Sequence, residues 1–124
     1  MNFHIVATER TPEVILTSNP LRLQLKGESY PEDVSAFYGE VINAVDALAK
    51  NPRGDLQVDF ELIYINSSSI KALYRIFEGF ESYRKIAQSV RINWRADPDD
   101  DIMVELGEDF QDRFPALEFQ VDGN

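Results

Sequence analysis

Leu62-Ile63-Tyr64-Ile65-Asn66-Ser67-Ser68-Ser69-Ile70-Lys71-Ala72-Leu73 changes its hydrophobic period at the middle. Before Asn66, the residues Leu56, Val58, Phe60 and Leu62 alternate with Gln57, Asp59 and Glu61. That is the two-residue repeat of a strand, continuing into apolar Ile63-Tyr64-Ile65. After Asn66, Ile70, Leu73, Tyr74, Ile76, Phe77, Phe80 and Tyr83 recur at helical spacing as far as about Lys85, covering about half the circumference. A strand therefore passes into an amphipathic helix across Asn66-Ser67-Ser68-Ser69, with three hydroxyls at the helix start.

The same alternation of periods extends outward. Upstream, Tyr30-Pro31-Glu32-Asp33 sets a proline and two acids where a helix begins. Val34, Phe37, Tyr38, Val41, Val45 and Leu48 give that helix one apolar face, and Pro52 and Gly54 stop it after Lys50. Leu21, Leu23 and Leu25 alternate with Arg22, Gln24 and Lys26 as a half-buried strand, and Glu13 to Thr17 is its partner across a Ser18-Asn19-Pro20 turn. Downstream, Val90, Ile92 and Trp94 mark a strand, and Asp99-Asp100-Asp101 leads a shorter helix carrying Ile102, Leu106 and Phe110. Leu117, Phe119 and Val121 make a last strand. The order ββαβαβαβ predicts one α/β domain over 1–124, a mixed sheet of about five strands with about three packed helices.

Composition narrows the function. The chain has 124 residues, 44% of them hydrophobic, and 22 acids against 12 bases give a formal net charge of −10. That balance disfavours nucleic acid and anionic membranes, both of which need clustered Lys and Arg. It suits a basic or apolar protein partner. There is no cysteine and a single histidine, His4, so thiolate metal sites, cysteine nucleophiles and catalytic triads lack their parts. The N-terminus does not read as a signal peptide and no apolar run is long enough to span a bilayer, which predicts a cytoplasmic protein.

Two acidic features invite chemistry. Asp97, Asp99, Asp100 and Asp101 could suggest a divalent cation or an acid-dependent hydrolase, but they lack the spacing, central glycine and closing glutamate of a calcium loop. Helix capping accounts for them. Asp59 and Glu61 read as solvated acids on the polar face of their strand. Neither catalytic residues nor a cofactor or metal are expected.

The serines invite two readings. Serine is a favoured helix cap, worth about 1 kcal/mol, and capping alone explains one hydroxyl. Yet no acid lies between Asn66 and Phe77, although acids open the other two helices. The partial positive charge of this helix start is thus left free to take a phosphate, with Lys71 four residues after Ser67 to help neutralise it.

The quoted segment resembles the signature of the SiaC-like regulatory phosphoproteins. So does Leu23-Gln24-Leu25-Lys26-Gly27-Glu28-Ser29-Tyr30-Pro31-Glu32-Asp33 with Phe37, as do Thr11-Pro12 and Asn93-Trp94-Arg95. The likeness spans most of the chain and fades after Asp97. It implies a variant of the STAS fold of anti-sigma-factor antagonists, with a phosphoacceptor hydroxyl following Asn66. That position is Ser67, where relatives often carry threonine; Ser68 and Ser69 are the alternatives one and two residues on. It further implies a serine/threonine kinase, a PP2C-type phosphatase and a diguanylate cyclase as partners. The unphosphorylated form of such a bacterial protein would activate the cyclase, raise cyclic di-GMP and promote biofilm formation. A constitutive interaction module without phosphorylation is the competing class. Tyr30, Tyr74 and Tyr83 are candidate partner contacts, the last two from the edges of the helix stripe.

Overall fold

The computed structural model describes residues 2–122. Its strands are β1 (Phe3–Ile5), β2 (Glu13–Ser18), β3 (Leu21–Ser29), β4 (Leu56–Ile65), β5 (Val90–Arg95) and β6 (Glu118–Asp122). Its helices are α1 (Val34–Lys50), α2 (Ser67–Ile86) and α3 (Asp101–Arg113). The six strands form one sheet in sequence order, so it holds one strand more than expected. The extra strand is β1, antiparallel to β2 through Phe3↔Leu16 and Ile5↔Val14. Three residues offer only one alternation, too few for a period to show in sequence.

β1, β2 and β3 are antiparallel, whereas β3 to β6 run parallel and each successive pair is joined through a helix. Parallel crossovers are right-handed, and three taken in the same direction put all three helices on one side of the sheet. Burial agrees. Leu23, Leu25, Val58, Phe60, Ile92 and Trp94 face the helices and are buried, while Arg22, Gln24, Gln57, Asn93 and Gln120 lie on the uncovered face.

Each helix start follows its sequence. Asp33 caps α1 by accepting from Ala36 N–H at 3.0 Å, and Asp100 caps α3 by accepting from Met103 N–H at 3.2 Å. α2 differs, because its cap is the uncharged Asn66, which accepts from Ser69 N–H at 2.9 Å. The Asp97–Asp101 run is accounted for by turn and cap, since Asp97 accepts from Asp99 N–H at 2.9 Å. Among the described residues no acid or histidine cluster could hold a metal ion. No described helix is long and apolar enough to cross a membrane.

One acidic expectation is overturned. Asp59 is only 6% exposed and does not stand in solvent. Its carboxylate accepts from Arg22 Nε at 2.7 Å, Asn93 Nδ2 at 3.1 Å and Gln57 Nε2 at 3.3 Å. β4 lies centrally in the sheet, so long side chains from both neighbouring strands close over the carboxylate. Glu61, two residues on and paired with Lys26 at 3.2 Å, does stay exposed.

Candidate functional site

The β4–α2 junction is held in place from below. Ser29 ends β3 opposite Ile65, and its carbonyl accepts from Asn66 N–H at 3.0 Å. Its hydroxyl donates to Ser69 Oγ at 3.0 Å and is hydrogen-bonded to the Tyr38 hydroxyl on α1. All three residues are buried. Burial pushes the Tyr38 phenol up to about 12, against the smaller downward pull of its hydrogen bonds with Ser29 and Ser69. This trio joins β3, α1 and α2 under the helix start, so the first turn of α2 has a fixed position. Ser29 continues the inward register of Leu21, Leu23 and Leu25, and Tyr38 sits in the apolar stripe of α1. The polar cluster was therefore concealed among residues that read as core.

The three candidate hydroxyls separate cleanly. Ser67 and Ser68 are exposed, whereas Ser69 is fully buried in the trio. A kinase cannot reach Ser69 without unpicking the helix start, so that alternative is withdrawn. Ser67 is the first residue of α2, where backbone N–H groups have no helical acceptor. Lys71 is exposed one turn later and forms no ion pair among the described residues. Ser68 and Lys71 border a groove of about 360 Å³ between α1 and α2.

The tyrosines divide as well. Tyr83 is buried, with its hydroxyl donating to Gly54 O and accepting from Arg53 N–H at 3.1 Å, so it pins the loop before β4 and offers no surface. It fell at the edge of the helix stripe, but the α1–β4 loop covers that edge. Tyr74 is half-buried and fills the seam between α2 and α3, its ring 5.0 Å from Phe110 and 6.0 Å from Phe114. Tyr30 meets Tyr64 edge-on at 5.8 Å beside the strand end.

Sequence periodicity missed how β4 ends. Gly27 pairs with Leu62 but Glu28 pairs with Tyr64, leaving Ile63 as an extra residue on β4. Such a bulge bends a strand and re-aims its side chains. Here Ile63 and Tyr64, which read as the continuation of a buried strand, are 67% and 51% exposed. Across β3, Gly27 holds φ at +128°, a conformation open almost only to glycine.

The chain is thus a two-layer α/β domain with an exposed hydroxyl at the head of a neutrally capped helix. The chain belongs to the SiaC family of regulatory phosphoproteins, whose pattern it matches over residues 5–123. It is similar to the crystal structure of apo-SiaC from Pseudomonas aeruginosa, with a TM-score of 0.90 and 29% identity over 99% of each chain. It is equally similar to SiaC in the crystal structure of the diguanylate cyclase SiaD in complex with its activator SiaC from Pseudomonas aeruginosa. There the TM-score is 0.90 and the identity 30%, covering 98% of this chain and 99% of that one. An uncharacterized protein of Pseudomonas aeruginosa strain UCBPP-PA14 is 32% identical over 111 residues, which is 90% of this chain and 88% of that protein.

Proposed function

We propose that this chain, acting as one module over 1–124, is a binding switch and not an enzyme. Its unphosphorylated form activates a diguanylate cyclase in the bacterial cytoplasm, and a phosphate on Ser67 releases that cyclase. A serine/threonine kinase adds the phosphate and a PP2C-type phosphatase removes it. The observation that carries the reading is Ser67 itself, exposed at the start of a helix that has a neutral cap and no acid in its first turn. The activator role of SiaC in its complex with a cyclase supports the same reading.

The physics of the switch follows from the anchored helix start. A phosphate adds about −1.5 to −2 charges at pH 7 and is favoured at a helix N-terminus, so the domain stays folded. What changes is the surface a partner must cover. A doubly charged group buried under a partner has to shed its water, at a cost that apolar contacts do not return.

The test joins phosphosite mapping to a cyclase assay. Intact mass and peptide fragmentation of protein from its native host should place a single phosphate on Ser67. The phosphorylated protein, and Ser67→Asp more weakly, should stimulate the cyclase at least about tenfold less than the unmodified chain. Ser67→Ala should stimulate fully and resist the kinase. Equal stimulation by all these forms would establish a constitutive binding module instead.

A further inference from the structure

Among the described residues, three of the five large hydrophobic side chains that stand exposed line one place. Ile63 and Tyr64 at the bulge line a common groove with Ile102, which is 78% exposed in the first turn of α3. Between them runs a groove of about 380 Å³, floored by Ile65 and Met103 and reaching Ile70, one turn after Ser67. The groove thus ends at the phosphoacceptor helix.

α3 gives this groove two parallel rows. Ile102 and Leu106 stand four residues apart and form an apolar row along the helix. Glu105 and Asp109, also four apart, form an acidic row beside it, and both rows border the groove. None of these acids joins an ion pair among the described residues. β4 pairs with β5 only as far as Phe60, so beyond it the groove is shaped on that side by α3, whose two rows choose the occupant. Rows at four-residue spacing are the ridges into which a second helix packs.

We propose that this groove receives an amphipathic helix of the partner, with apolar residues seated against Ile63, Tyr64 and Ile102 and Lys or Arg along the flank facing Glu105 and Asp109. The inference rests on the proposed function, and it gives the cyclase segment a chemistry. It also explains release. The added phosphate would attract a basic flank from a distance, but at contact it brings a hydrated charge to the first turn of α2, three residues before the groove-lining Ile70.

Calorimetry with SiaD of Pseudomonas aeruginosa and the full-length chain tests this, alongside a two-dimensional NMR titration with a designed helix of one Leu face and one Lys face. Ile102→Glu and the pair Glu105→Lys with Asp109→Lys should each weaken SiaD at least about tenfold, whereas Ile86→Glu, an exposed apolar site elsewhere, should not. The designed helix should shift the amides of residues 63–65 and 102–109, and its Leu/Glu counterpart should not. Unchanged thermal unfolding of the variants excludes misfolding. SiaD binding that is indifferent to these substitutions, or peptide shifts confined to another surface, overturns the groove. Failure of the unmodified chain to bind SiaD, with the peptide still mapping here, overturns the cyclase reading and leaves the groove standing.

Discussion

Tyr38 is the residue whose protonation reports most directly on the site. Its phenol is raised to about 12 from an ordinary value near 10, first because burial penalises the charged form. The unfolded chain therefore releases this proton at lower pH than the folded one. Stability is unaffected below pH 10 and falls as pH rises from about 10 to about 12, by up to about 3 kcal/mol. Urea unfolding at pH 9 and pH 11 should show about half of this loss in the wild type, with a smaller loss in Tyr38→Phe. Ser29→Ala should cost about 1–3 kcal/mol at neutral pH, because it removes from the buried trio the hydroxyl that bonds both Tyr38 and Ser69. At this scale the sequence was only partly legible. The serine run could be located because it follows Asn66 at a change of period, while the choice of Ser67 within it is what the family resemblance implies. Ser29 and Tyr38 could not, because an inward-facing hydroxyl gives the same periodic signal as a core residue. Tyr83 misled for the converse reason: its place on the helix stripe says nothing about a loop folding over it.

Among the elements, the end of β4 depends on a residue in the neighbouring strand. Gly27 holds a positive φ beside the bulge, a conformation that a side chain there would strain. Gly27→Ala should therefore destabilise the protein by about 1–3 kcal/mol in urea unfolding. It should also change the amide shifts of residues 62–65 before those of the distant β5–β6 pair. Helix and strand identities were readable throughout, since each period persists over several repeats. The bulge was not, because one inserted residue between two alternating halves leaves every apolar residue apolar. What it alters is direction, and direction at the end of β4 decides whether Ile63 and Tyr64 are core or surface.

For the molecule as a whole, the consequential fact is that helices cover one face of the sheet and leave the other to polar side chains. That open face is joined by cross-strand pairs: Arg22 with Asp59 at 2.7 Å, Lys26 with Glu61 at 3.2 Å and Arg91 with Glu118 at 3.0 Å. The pairs differ in worth because their burial differs. Asp59→Ala should cost about 1–3 kcal/mol, since it strands donors from two other strands, while Glu61→Ala should cost less than about 0.5 kcal/mol. Denaturant midpoints of the two variants compared side by side would settle the ranking. Net charge and alternation made the layered architecture legible, yet they could not tell Asp59 from Glu61, which occupy equivalent positions in the pattern and differ only in what closes over them. The buried hydroxyl trio also bears on timing. Because it fixes the start of α2 from beneath, the fold would have nothing to relax if the phosphate proposed at Ser67 came or went. Under the proposed function, such a switch would keep no memory: its delay and duration would belong to the enzymes that add and remove the phosphate and to partner dissociation. The same folded domain could then serve a brief response or a lasting one according to the enzymes around it.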